Sequence, residues 1–88
     1  MVYRPVPGLR WLQEAGHIVV INPAAGVSQQ LAGHEAAVWD WLNSRHTGAE
    51  AARLLALTYD LTEPDAQAAL DKTLARWLAV GLVEATDG

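Results

Sequence analysis

The chain has 88 residues, no cysteine and a formal net charge of −4 at pH 7. This length predicts one small domain, spanning residues 1–88, with a single modest core. The lack of cysteine excludes disulfides, thiolate chemistry and zinc–thiolate sites. The acidic balance argues against nucleic acid as a partner, because nucleic-acid binders derive most of their non-specific affinity from clustered cations.

No segment has the pattern of a signal peptide, and no apolar run approaches the length of a membrane span. We therefore expect a soluble, unprocessed cytoplasmic protein that has no membrane partner. Four Trp, two Tyr and no Phe make up the aromatic residues. Because Trp carries a large contact area, these side chains serve either the core or an adhesive surface.

The first third of the chain predicts an extended lead-in over residues 1–8 and then three strands. Residues 9–13 form the first strand, and residues 18–21 are a continuous β-branched run that is typical of a central strand. Residues 22–26 contain Pro and Gly and break the run, so that residues 27–31 return as a third strand. The result is a three-stranded antiparallel meander with the third strand at an edge.

The third strand alternates apolar with polar side chains, as an edge strand does. It contains no Lys, Pro or other residue that blocks an edge from pairing. Its unpaired backbone groups predict a docking site for an extended peptide. The residues of this predicted edge are Val27, Ser28, Gln29, Gln30 and Leu31.

Three helices are predicted after the sheet, over residues 34–43, 49–59 and 64–80. On the first, Trp41 lies on the apolar stripe and Trp39 at its margin. Thr47 and Glu50 form a capping box before the second helix. Thr62 and an early proline start the third, which Gly81 ends. The fold class is α+β, a three-stranded antiparallel sheet followed by three helices, similar to a winged helix-turn-helix.

Catalytic and metal-binding patterns are absent from the sequence. The residues His17, His34 and His46 have no ligand spacing with one another or with carboxylates, so no metal site is expected. Neither serine lies in a nucleophile motif. We expect no catalytic residue, no cofactor and no enzymatic activity.

A binding function remains, and the sequence is compatible with two kinds of binding protein. One is a small winged-helix factor that binds DNA or another protein, with the third helix in the major groove. Glu63 and Asp65 oppose DNA binding, because they occupy the first turn of that helix, where phosphates would approach, and its only cations are Lys72 and Arg76. The other reading is a peptide-binding module. Its groove would use part of the stripe that contains Trp77, although such stripes more often form the core.

The order of these parts resembles the PqqD-like family, whose members are recognition elements for ribosomally made, post-translationally modified peptides. The resemblance covers residues 9–83 approximately. Its first part rests on Gly26 before the third strand and on the Thr47-x-x-Glu50 box. The remaining motifs are Val38-x-x-x-Leu42 with its Trp and Leu70-x-x-x-Leu74-x-x-Trp77-x-x-x-Gly81-Leu82-Val83.

The resemblance implies a non-catalytic domain, a peptide chaperone that binds the leader segment of a precursor peptide and presents it to a partner enzyme. The leader would add as a strand to residues 27–31, against the helix over residues 64–80. This short form looks most like the leader-recognition protein of lasso peptide biosynthesis, whose partners would be a separate leader peptidase and an ATP-dependent macrocyclase. A pathway with another modifying enzyme, for a quinone cofactor or with a radical enzyme, is the alternative. We expect a monomer.

Mapped onto this sequence, the residues that the resemblance implies for peptide binding come from the third strand and the third helix. They are Val27, Ser28, Gln29, Gln30, Leu31, Leu70, Thr73, Leu74, Arg76 and Trp77.

Overall fold

The computed structural model describes residues 2–86 as five strands and three helices. The predicted fold class is confirmed, with strand and helix ends within one or two residues of those expected. The elements in chain order are β1 (Val2–Pro5), β2 (Arg10–Glu14), β3 (His17–Asn22), β4 (Val27–Ala32), α1 (His34–Asn43), α2 (Gly48–Tyr59), α3 (Glu63–Ala79) and β5 (Val83–Thr86).

The predicted meander is an antiparallel sheet in the order β2-β3-β4. Central strand β3 pairs with both neighbours, and its buried Ile18 and Val20 face the core. The turn between β3 and β4 ends at Gly26, whose φ of 67° lies in the left-handed region that glycine adopts without strain. Two hairpins therefore place β4 at one edge of the sheet and β2 at the other.

A second, two-stranded sheet corrects the expectation that residues 1–8 are only an extended lead-in. Strand β1 pairs antiparallel with β5, although some 80 residues separate them in sequence. Arg4 lies opposite Glu84 in this register, and the two side chains form an ion pair at 2.7 Å. The pairing ties both ends of the described chain to the same face of the domain.

The helices begin where the capping residues predict. The Thr47 hydroxyl accepts the Glu50 N–H at 3.1 Å, and the Glu50 carboxylate accepts the Thr47 N–H at 3.0 Å. At the start of α3 the Thr62 hydroxyl accepts the Asp65 N–H at 3.2 Å. Among the described residues, no helix has the length and apolar character that crossing a membrane requires.

The core lies between the sheet and the helices and contains two Trp side chains. Trp39 and Trp77 are fully buried and meet edge-to-face, with ring centroids 5.5 Å apart and planes at 86°. The position of Trp39 differs from the sequence prediction, which placed it at the margin of the stripe and Trp41 on it; Trp41 is only half-buried. The other large, fully buried side chains are Leu31, Leu55, Leu70, Leu82, Val20, Val38 and Val83.

Candidate functional site

The edge of β4 that faces away from β3 has no partner strand within the part of the chain that the structure describes. The strand pairs with β3 in a continuous register from Asn22↔Val27 to His17↔Ala32. In such a strand, every second residue directs its N–H and C=O toward the neighbour, and the others direct theirs outward. The outward groups can bind an extended peptide segment by adding one more strand.

The two faces of β4 differ in the burial of their side chains. Val27, Gln29 and Leu31 lie on the core side, where Leu31 is fully buried and the other two are half-buried. Ser28 and Gln30 lie on the exposed side. Because face and in-plane direction alternate together, residues 28 and 30 share one bonding direction and residue 29 has the opposite one.

The apolar stripe of α3 lies in the core, where the sequence places most of it, and it includes three of the residues expected for peptide binding. Leu70, Leu74 and Trp77 are only 1%, 3% and 0% exposed. These three side chains pack in the core and do not line an open surface in this structure. Among residues 2–86, the indole N–H groups of Trp39 and Trp77 find no hydrogen-bond acceptor, so these rings contribute through packing.

A pocket of about 590 Å³ opens between the first turn of α1 and one face of α3. We call it the charged pocket. Two of the expected groove residues, Thr73 and Arg76, line it. Sequence reasoning missed the other four. The full lining is His34, Glu35, Ala69, Lys72, Thr73 and Arg76.

The spacing on α3 explains this face. Residues three and four apart in a helix are neighbours, so Ala69, Lys72, Thr73 and Arg76 form one stripe beside the buried one. Because three of these four residues are polar or charged, the sequence alone suggests that this stripe faces solvent. The pocket forms because the first turn of α1, which follows β4 in the chain, lies across from these residues. The sequence pattern of α3 alone does not predict this neighbour.

The charges in the pocket are partly compensated. Arg76 forms an ion pair with Glu35, which joins α3 to the first turn of α1. Lys72 forms no ion pair with any of residues 2–86. The ring of His34 meets Tyr59 edge-on, with centroids 6.5 Å apart. Within the described part of the chain, the pocket therefore presents one cation, Lys72, that is not paired with an acid.

The comparison with known families covers both the open edge strand and α3. The family model of Coenzyme PQQ synthesis protein D (PqqD) matches residues 17–83. The chain belongs to the PqqD family. This confirms the resemblance that the motifs indicated. The match begins at β3 and ends at the first residue of β5, so it contains both the open edge and the charged pocket.

A solved structure agrees with this PqqD-family fold over nearly its whole length. It is described as TbiB1 in complex with the TbiA(beta) leader peptide, and the TM-score is 0.90. The match covers 97% of this chain and 99% of that one at 14% sequence identity, and at this identity the likeness is one of fold. No curated protein matches the chain.

β2, at the other edge of the sheet in this PqqD-family chain, differs from β4 in exposure and charge. All five residues of β2 are exposed, and Arg10 and Glu14 place a charge at each end. Glu14 is engaged with His17 at 3.1 Å. β4, by contrast, carries no charged residue, and the lining of the charged pocket begins at His34, two residues after the strand ends.

Titratable groups elsewhere have structural roles. Hydrogen bonds from the Thr47 N–H and hydroxyl, and then from His46, lower the pKa of Glu50 below its ordinary value. This carboxylate belongs to a helix cap. Within residues 2–86, no group of three or more His, Cys, Asp or Glu side chains is placed to hold a metal ion.

Proposed function

We propose that the protein binds the leader segment of a ribosomally made precursor peptide by strand addition at β4. Backbone groups of Val27, Ser28, Gln29, Gln30 and Leu31 carry the added strand, and Thr73 and Arg76 face its side chains. Leu70, Leu74 and Trp77 contribute indirectly, because they anchor α3 in the core. The observation that carries the proposal is the open, uncharged β4 edge ending at a pocket on α3 in a PqqD-family fold.

The solved complex of similar fold supports this choice of ligand, because its partner is a leader peptide. Strand addition also suits such a ligand chemically. Main-chain bonds supply affinity for any extended segment, and pockets beside the edge supply sequence preference. A binding module of this kind needs no catalytic group and no cofactor.

The biological role that we propose is delivery. A single chain contains the whole binding surface, so we expect a monomer that binds one leader and presents the precursor to a partner enzyme in the cytoplasm. A leader peptidase of lasso peptide biosynthesis is the partner that we favour. Modification enzymes of other pathways, including the quinone-cofactor pathway named in the family's description, are the alternative.

Selection from a displayed library of random linear peptides tests the binding proposal without knowledge of the natural precursor. Peptides enriched on the immobilised domain are synthesised, labelled and titrated by fluorescence anisotropy, together with the TbiA(beta) leader. We expect enriched linear peptides whose binding depends on the β4 edge. Enriched peptides that bind equally well when that edge is blocked by proline would contradict strand addition, and so would a selection that enriches no peptide.

Duplex DNA is the competing ligand, and salt separates the two. A protein that contacts about six phosphates loses roughly 10³-fold in affinity between about 50 and 200 mM salt. An extended peptide held by backbone bonds loses far less. The first turn of α3 carries Glu63 and Asp65, whose negative charges oppose an approaching phosphate. Tight duplex binding with a steep salt dependence would establish it instead.

A further inference from the structure

We infer that the charged pocket selects an acidic side chain of the bound peptide and that Lys72 is its cationic partner. The inference rests on the proposed function, because it assigns a specificity to the peptide that β4 carries. Three observations support it: the place of the pocket along β4, the balance of charges inside it, and the shape of its walls.

The pocket lies where a strand added to β4 leaves the sheet. Strand β4 ends at Ala32, and His34 and Glu35, two and three residues later, already line the pocket. A peptide paired along β4 advances about 3.3 Å per residue. Its residues beyond Ala32 therefore pass the opening of the pocket, and one side chain on the face toward α3 points into it.

The charge balance inside the pocket is positive in a chain that is negative as a whole. The net charge of the chain is −4, yet the pocket holds two cations, Lys72 and Arg76, against the single carboxylate of Glu35. Glu35 is engaged with Arg76. The nearest acid along α3, Asp71, accepts a hydrogen bond from Gln67 at 2.8 Å and does not pair with Lys72. Lys72 is thus left for a ligand.

The walls suit a carboxylate on a short aliphatic stem. Ala69 and the methylene groups of Lys72 and Arg76 can pack against such a stem. The Lys72 ammonium has three donors for the carboxylate, and the Thr73 hydroxyl, on a side chain that is almost fully buried, adds another donor. A cationic peptide side chain would instead meet Lys72 and Arg76 without a free acid to balance it. An acidic residue, Glu or Asp, is the class that fits.

The test compares the parent with two variants that remove the same charge. Lys72→Gln removes the proposed partner. Arg53→Gln removes an exposed cation of α2 that lies outside the charged pocket and has no ion pair among residues 2–86. Each is used to select from the same displayed library of random linear peptides. A third variant, Lys72→Glu, reverses the charge at the site.

We expect the parent and Arg53→Gln to enrich Glu or Asp at one position of the aligned peptides, and Lys72→Gln to lose that enrichment. Lys72→Glu should enrich Lys or Arg at the same position. In titrations, replacing the acidic residue by its amide should weaken binding to the parent roughly tenfold and change binding to Lys72→Gln little.

Two outcomes would overturn the inference. One is selection of edge-dependent peptides with no acidic preference, and the other is the same acidic preference on Lys72→Gln as on the parent. Both leave strand addition intact. Failure of strand addition itself is distinguishable, because the selected peptides would then bind a domain whose β4 edge is blocked.

Discussion

The side chain of Asn22 donates a hydrogen bond from Nδ2 to the carbonyl oxygen of Gly81 at 2.9 Å, across 59 residues of sequence. Its Oδ1 accepts the Ala25 N–H at 3.3 Å, inside the turn that leads into β4. One buried amide therefore joins the β3–β4 turn to the C-terminal end of α3. This contact fixes the start of the open edge relative to the helix that lines the charged pocket.

Asn22→Ala should destabilise the fold by about 1–3 kcal/mol, because it removes two hydrogen bonds, one to the Gly81 carbonyl and one from the Ala25 N–H. Urea unfolding followed by circular dichroism measures the change. Ser28→Ala, at an exposed β4 position whose side chain has no hydrogen bond among residues 2–86, is the control and should unfold as the parent does. Equal stability of Asn22→Ala and the parent would show that the contact contributes nothing.

Trp77 tests the assignment of the α3 stripe to the core. Because the ring is fully buried against Trp39, Trp77→Ala should cost about 3–5 kcal/mol of unfolding free energy. Trp11→Ala removes the same side chain from an exposed strand and should cost much less. The titrations with a selected peptide are made on the folded fraction of each variant. If Trp77→Ala keeps its stability and loses peptide binding, the assignment of this ring to the core is wrong and the ring lines the peptide-binding groove.

Much of the fold was predictable from local signals. The β-branched run, the Pro–Gly turn and the Thr47 and Thr62 caps act within a few residues, and each element they mark is present in the structure. The β1–β5 sheet was not predictable in this way. Each of its strands has four residues, and its partner lies at the other end of the chain, so neither carries a local pattern that predicts the pairing.

The site was predictable only in part, for a related reason. Periodicity shows that two side chains share a face of α3, but it does not show which neighbour that face meets. Leu70, Leu74 and Trp77 were therefore assigned partly to a groove, although they are almost fully buried in this structure. Lys72 was not among the expected site residues, although it lines the charged pocket. The pattern of α3 alone does not separate these cases.

Glu50 makes the stability of α2 depend on pH. Hydrogen bonds from Thr47 and from His46 lower its pKa in the folded state, so the stabilisation is present above the unfolded pKa and is lost as the pH falls through the folded pKa. Glu50→Gln should therefore be less stable than the parent at neutral pH, and the difference should shrink in acid. Glu63→Gln, an acid in the first turn of α3, is the matched control. Urea unfolding across this pH range measures both, and a pH-independent difference for Glu50→Gln would contradict the cap as its source.

The open edge itself is tested by single proline substitutions at residues 28, 29 and 30. Proline removes one N–H, and an edge strand tolerates this only where that N–H points away from its neighbour. Since residues 28 and 30 share one bonding direction, Ser28→Pro and Gln30→Pro should behave alike and Gln29→Pro oppositely. Leu12→Pro and Gln13→Pro place the same change on β2, one at each parity, and supply the matched control.

The measurement that tests the central claim most directly is the affinity of a selected linear peptide for each of these variants, made beside the unfolding curve of the same sample. We predict that the β4 prolines of one parity stay folded and lose peptide binding, while those of the other parity damage the fold. The β2 variant that stays folded should bind as the parent does. If all three β4 variants stay folded and bind the peptide with the affinity of the parent, strand addition at β4 is wrong.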